Sequence, residues 1–269
     1  MSVFSARVAA LTGVTEQSLE PLVAQSLSEV LLVRRPNGGI SVAKSGPAVA
    51  VEAAMLRAIL GAGVPAPAVE AEHEGMLILQ HIENDAVFSP RAWADVGARL
   101  RQLHHQTSDG YGWPVDYQLG TVRLDNRETR DWPAFWGEQR LVVTASILDR
   151  PWRERVDRLA ARLSELLPSE PRASLLHGDL WTGNILVQEG RLVGFVDPAC
   201  YFGHGEVDLA MIELFDSPSG DFSEGYGSLE PGWEERRPVY QLFPAISHVR
   251  LWGQSYYGMV DRLLSALGF

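Results

Sequence analysis

The chain has 269 residues, 46% of them hydrophobic and 21% charged, with one cysteine and a formal net charge of −11. That length and apolar content suit one large domain or two lobes with a substantial core, and an acidic balance without a Lys/Arg-rich run argues against a nucleic-acid footprint. Cys200 has no partner for an internal disulfide, residues 1–10 lack a basic-then-apolar leader, and no apolar run is long enough to span a bilayer. The expectation is therefore a cytoplasmic protein that binds neither membrane nor nucleic acid.

In chain order, residues 3–13 read as a short helix, and Thr15 with Glu16 as the start of another. Residues 28–35 (SEVLLVRR) and 40–45 (ISVAKS) are β-like, and the Pro36-Asn37-Gly38-Gly39 turn between them predicts a hairpin. Lys44 lies near the end of the second strand. Residues 48–62 follow as a helix, with Val51, Ala54, Met55, Ala58 and Ile59 at helical spacing and Glu52 in the early turns. Gly63 to Pro67 breaks it. Residues 69–72 and 76–81 read as two more strands, and the apolar pattern lapses between Gln80 and Asp85. That lapse divides a β-rich N-lobe, 1–84, from a mainly helical C-lobe, 85–269. Beyond it, residues 90–105 form an amphipathic helix carrying Trp93, Val96, Leu100 and Leu103 on one face. Residues 107–133 read as an aromatic-rich loop, and 132–147 and 152–167 as helices. Residues 206–215 read as a helix, 216–232 as a loop, and 233–246 and 247–267 as terminal helices. On the last of these, His248, Trp252 and Tyr256 fall at i, i+4 and i+8 as one stripe.

The chemistry concentrates in Leu175 to Pro198, LLHGDLWTGNILVQEGRLVGFVDP. An Asp, an Asn five residues later, a strand-turn-strand and a second Asp follow one another, the order of the protein-kinase catalytic segment. Phosphoryl transfer needs a carboxylate beside the attacking hydroxyl and oxygen ligands for Mg²⁺. Asp179 suits the first task, Asn184 and Asp197 the second. An HGD triplet alone is equally a turn with an Asx cap; the ordered set of three is the stronger signal. In such a fold Lys44 contacts the α/β-phosphates and pairs with Glu52, where the plain alternatives are an edge lysine and a helix-start glutamate. Backbone groups around Gln80 and Ile82 face the adenine edge. The phosphate-covering loop falls at residues 24–29, which contain no glycine, so Ser26 and Ser28 hydroxyls with backbone N–H groups are the candidates there. His177 reads as an orienting residue of the catalytic loop. Asp208 reads either as its brace or as a helix N-terminal charge, and Trp181 as a wall for a sugar or as core.

The run HGDLWTGN followed by DPACYFGHGEVDLAM resembles the fructosamine kinase (ketosamine-3-kinase) family. Residues 230–242 (EPGWEERRPVYQL), 119–121 and 131–141 (DWPAFWGEQRL) are similar to further family segments, and the likeness runs from about residue 20 to the C-terminus. The family implies a two-lobed α+β, protein-kinase-like fold, ATP and Mg²⁺ as cofactors, and phosphorylation of O3 of a ketosamine such as ribulosamine or fructosamine, a deglycation role. The glycine-free loop and Phe202, where the family more often has Tyr, depart from it. Aminoglycoside or choline kinases share the HGD and DPA runs, and a catalytically silent kinase fold is a further alternative. A monomer is expected. For the acceptor, the candidates are Trp181, His204, Glu206 and His248, with Glu206 or Asp131 facing its amine.

Overall fold

In the computed structural model, which describes residues 2–22 and 28–269, helix α1 (Val3–Thr12) starts at a Ser2 cap and ends at Gly13 in the left-handed region. Strands β1 (Leu19–Pro21), β2 (Val30–Arg34) and β3 (Ile40–Ser45) follow, then helix α2 (Val49–Gly61) and strands β4 (Val69–His73) and β5 (Met76–Gln80). They form one antiparallel sheet in the order β1-β2-β3-β5-β4. The β2–β3 turn closes with Gly38 at φ 84°, as its Asn-Gly sequence predicts. Alternation along the strands gives the sheet two apolar faces. Leu31, Val33, Ala43, Met76 and Ile78 pack under Phe4 and Val8 of α1. Leu77 and Leu79 turn the other way and join α2 in the main core. Thr15 makes no side-chain cap; only one 3₁₀ turn, Glu16–Ser18, forms there.

No regular element forms between β5 and α3 (Pro90–His104). This crossing segment is tied down at Asp85: its N–H donates to the Val187 carbonyl and its carboxylate accepts from the Glu189 N–H, 2.9 Å each. Ser89 then caps α3 by accepting from the Ala92 N–H, with Pro90 in the first turn.

The segment expected to be a loop contains a small hairpin, β6 (Tyr117–Leu119) with β7 (Val122–Leu124). Tyr111 and Trp132 from this segment and Trp136 just beyond it are core, buried against one another and against Tyr240. Next come α4 (Trp132–Trp136), a π-turn (Gly137–Val142), α5 (Val143–Ala145), α6 (Arg150–Ala160) and α7 (Leu163–Leu166). Strands β8 (Ala173–Leu175), β9 (Ile185–Gln188), β10 (Arg191–Phe195) and β11 (Phe202–His204) form two pairs, β9 with β10 and β8 with β11. Helix α8 (Glu206–Phe215) matches its expected span. A further helix, α9 (Gly220–Tyr226), lies inside the stretch expected to be loop. It packs on α3 through Gly97 and Gly225, where backbones meet: a Cβ on Gly97 would sit 2.2 Å from the Phe222 carbonyl. Two terminal helices form as expected, but the break between them lies later than expected: helix α10 (Trp233–Trp252) runs on past residue 246. It stops at Gly253, φ 90°, before α11 (Tyr257–Ala266). The stripe of His248, Trp252 and Tyr256 is therefore broken at Gly253. No helix among the described residues is long and apolar enough to cross a membrane.

Candidate active site

The catalytic stretch folds as it does because two backbone positions demand it. Gly178 adopts φ 81°, and a Cβ there would lie 2.1 Å from the Ala199 carbonyl. Asp197 adopts φ 51°, a region that Asp enters more readily than most residues. Between them the β9–β10 hairpin returns the chain on itself, so that the Val196 N–H donates to Asn184 O at 3.0 Å and the Ala199 N–H to His177 O at 2.8 Å. The loop holding Asp179 and the turn holding Asp197 are thereby stitched side by side.

Asn184 is buried and donates its Nδ2 to the Asp179 carbonyl (2.8 Å) and carboxylate (3.1 Å). That leaves its amide oxygen free of these bonds. The Asp179 carboxyl is pushed up to about 7 by burial and by the neighbouring Asp197 charge. Lys44 Nζ bridges the lobes, 2.8 Å from Glu52 and 2.8 Å from Asp197 Oδ1. Burial works against the Lys44 charge, but Glu52 and Asp197 outweigh it and hold the ammonium above its usual range. Glu52 itself is pushed upward by burial, against the pull of Lys44.

The loop is braced from below. Asp208, wholly buried, accepts from the backbone N–H groups of His177 (2.7 Å) and Gly178 (2.9 Å) and lies 3.1 Å from His104 Nε2. His104 Nδ1 in turn meets the Tyr226 hydroxyl at 2.8 Å. His177 reaches the Val196 carbonyl through Nε2 (3.0 Å), and its Nδ1 accepts from the Asp179 N–H (3.3 Å). This pattern requires a neutral ring, and burial holds its pKa below the usual value.

The oxygen set fits a divalent cation. A carboxylate half exposed at Asp197 and an amide oxygen at Asn184, next to each other on the stitched loops, are hard donors of the kind Mg²⁺ takes. His204, Glu206 and Glu230 also bring one ligand atom each within 4.8 Å of one another. There, however, Glu206 is already held by the Arg236 guanidinium, whose charge opposes a cation.

Of the other expected site residues, Ser26 lies outside the described residues. Ser28 is half-buried at the foot of β2, its hydroxyl 3.8 Å from where a Gly46 Cβ would be. Gln80 commits its N–H to the Ala68 carbonyl and its side-chain oxygen to the Ala68 N–H, both on the β4 side. Ile82 packs over Gly194 of β10. Trp181 stands 43% exposed beside the catalytic loop. His248 is half-buried, its Nδ1 on the Pro244 carbonyl, its ring stacked on Phe215 at 4.2 Å and against Tyr256 at 5.0 Å. His204 and Glu206, expected at the acceptor, are interior instead. His204 bonds the Tyr240 hydroxyl at 2.8 Å, and burial and Arg236 push its pKa down to about 3. Glu206 forms a two-pronged pair with Arg236. Asp131 caps α4 by accepting from the Ala134 N–H.

Two groups at the site, Tyr117 and Asp216, had no readable signal. Tyr117 is buried in the charged neighbourhood of Glu52, Lys44, Asp197 and Asp179; burial, then Glu52, holds its phenol well above its usual range. It sits in a segment that reads as loop. Asp216 accepts from both the Thr182 N–H (2.9 Å) and hydroxyl (2.5 Å). Arg140 is buried among Phe135, Tyr201 and Phe243 and bonds Asp125 O and Asn126 Oδ1, which pins the 107–133 segment to the core.

Similarity to known proteins agrees with this geometry. The profile described as fructosamine kinase matches residues 44–267. An Enterococcus faecium protein provisionally named a ketoamine kinase is 37% identical over 181 residues, 63% of this chain and 65% of that protein. The chain thus spans a little under two thirds of that relative's length, and 64% and 61% of the next two. A Thermobifida fusca crystal structure, provisionally named a fructosamine-3-kinase, superposes with a TM-score of 0.88 at 26% identity over 98% of both chains. An amicoumacin kinase solved with AMP-PNP and Ca²⁺ superposes with a TM-score of 0.69 at 16% identity, over 97% of this chain and 91% of its own. At that identity the likeness is one of fold, the two-lobed protein-kinase-like architecture.

Proposed function

Because the chain belongs to the fructosamine kinase family, we propose that it is an ATP-dependent kinase that phosphorylates the O3 hydroxyl of a ketosamine such as ribulosamine or fructosamine. The observation that carries this reading is the joining of five groups from two lobes: Lys44 bonded to Glu52 and Asp197, and Asn184 bonded to Asp179. A catalytically silent fold has no need to keep all five.

The residues divide the work. Asp179 takes the proton of the sugar hydroxyl as its oxygen attacks the γ-phosphorus, and the bond from that phosphorus to the ADP oxygen breaks. Lys44, aimed by Glu52, holds the α/β-phosphates. Asn184 and Asp197 would hold a divalent cation such as Mg²⁺, which would supply positive charge against the phosphate oxygens. Asp208 keeps the loop in place by gripping two successive N–H groups. Lys44 already carries its proton and the acceptor nitrogen of His177 is taken by the Asp179 N–H, so of these three groups Asp179 is the one left to accept a proton. Trp181 supplies a flat exposed face for the sugar, and the Phe215–His248–Tyr256 stack a second.

The names of the relatives support a sugar-amine acceptor. The test is ATP consumption with a ribulosyl-amine, a fructosyl-amine, kanamycin and choline. Turnover of the ketosamines is expected, with Trp181→Ala and His248→Ala raising the KM for the sugar more than that for ATP. Turnover of kanamycin or choline and of no ketosamine would overturn the substrate reading and leave the kinase reading standing.

A further inference from the structure

A ketosamine with a basic nitrogen is a cation, and the phosphate machinery has no group for that charge. The two acids that the sequence pattern offers for it are engaged elsewhere: Glu206 by Arg236, and Asp131 as the cap of α4. Glu213, near the end of α8, is paired with Arg237. Asp216, the residue that follows α8, is different. Among the described residues its carboxylate accepts only from Thr182, one oxygen from the N–H and the other from the hydroxyl, so each oxygen keeps a second lone pair. Among the described residues no Lys, Arg or His forms an ion pair with it, although it is half-buried.

It is anchored to the stretch of chain that follows Asp179. Thr182 is three residues past Asp179 and adjacent to Trp181. The indole of Trp181 lies over Gly183, where a Cβ would meet ring carbons at 2.2–2.6 Å, so glycine is needed for the ring to lie flat there. On the other flank Phe215, next to Asp216, stacks on His248 with rings 4.2 Å apart and 29° between planes. A partly desolvated carboxylate without a cation among the described residues, on segments that also carry the aromatic residues Trp181 and Phe215, is the chemistry that recognises an organic ammonium: charge-assisted hydrogen bonding to the carboxylate and ring faces for the cation.

We infer that Asp216 is the subsite for the ammonium nitrogen of the acceptor, held in place by Thr182 and framed by Trp181 and Phe215. The inference rests on the acceptor reading above only in requiring a cationic alcohol. It makes the enzyme selective for basic amines over neutral sugars.

The experiment compares a fructosyl-amine bearing a basic nitrogen with its N-acylated, uncharged counterpart, using the intact chain. Wild type favours the basic acceptor. Asp216→Asn lowers kcat/KM for the basic acceptor by at least about tenfold and for the neutral one by much less, with the KM for ATP unchanged. Thr182→Val removes one hydrogen bond but keeps the carboxylate, and retains the preference. Equal losses for both acceptors would mean that Asp216 only clamps the loop, and an unchanged preference would mean that the nitrogen binds elsewhere; either result overturns the assignment. If choline is the alcohol turned over, the ketosamine reading falls, and the same ratio is read on choline against its uncharged carbon isostere. A chain that phosphorylates no cationic alcohol overturns both.

Discussion

The surroundings of Asp179 suit the proposed role of base because they make its charge expensive. Burial and Asp197 push its carboxyl up to about 7 from the ordinary Asp value of 3.8. Over that interval the folded chain keeps a proton that the unfolded chain has released, so stability falls as pH rises through it; the cost is absent below the lower value and complete above the upper one. Asp179→Asn should therefore melt above wild type at pH 8 and level with it at acid pH, while turnover drops about 10²–10⁴-fold. Thermal melts across pH and steady-state rates check the two halves separately; a variant that turns over normally would remove Asp179 from the role of base. Lys44 carries the opposite lesson. Lys44→Met leaves buried Glu52 facing no cation and should cost about 3 kcal/mol by denaturant unfolding, together with a higher KM for ATP or a lower kcat. Adding Glu52→Gln should restore part of the stability and none of the activity, because the Lys44 charge proposed to hold the phosphates stays absent.

Among the elements, the crossing of α3 and α9 is the most tightly specified. Backbone atoms meet at Gly97 and Gly225, and a Cβ on the latter would lie 2.0 Å from the Ala94 carbonyl. Backbone cannot yield as a side chain does, so Gly97→Ala should destabilise by about 2–3 kcal/mol. Gly61, at the exposed end of α2 with nothing within 4 Å, should accept Ala without loss. Circular dichroism melts of the pair distinguish close packing from a general effect of the extra methyl group. The same crossing places the Tyr226 hydroxyl on His104, and through it behind Asp208, so a helix that reads as loop supports the catalytic segment. Its sequence, GDFSEGY, carries two glycines and few apolar residues, and only contact with α3 makes it helical.

Across the whole molecule, the site exists only where the lobes meet. Lys44 comes from the sheet and Asp197 from the helical part, and nucleotide with Mg²⁺ should bind the folded chain alone. AMP-PNP at about 100 times its Kd with Mg²⁺ should add about 2.7 kcal/mol of stability. Chelation should remove the metal-dependent share, and Asp197→Ala should lose the same share even with Mg²⁺ present. Full stabilisation of Asp197→Ala by Mg²⁺ and nucleotide would move the metal site elsewhere.

What could be read without the fold was whatever local order or period encodes. The strands β2, β3 and β5, the helices α2, α3 and α8, and the order of Asp179, Asn184 and Asp197 around a hairpin follow from side-chain alternation, helical spacing and turn residues, all properties of neighbours in the chain. The pairing of Lys44 with Glu52 was legible because strand and helix are close in sequence. The helix α9, the hairpin β6–β7 and the break at Gly253 were not, because their residues have weak local preferences that long-range packing overrides. Nor was the fate of the acids: Glu206 and Asp131 look as available as Asp216 along the chain. Only the tertiary structure brings Arg236 onto Glu206 across 30 residues and sets Thr182 against Asp216 across 34. A charge's function depends on what is left to neutralise it, which is a property of the folded surroundings.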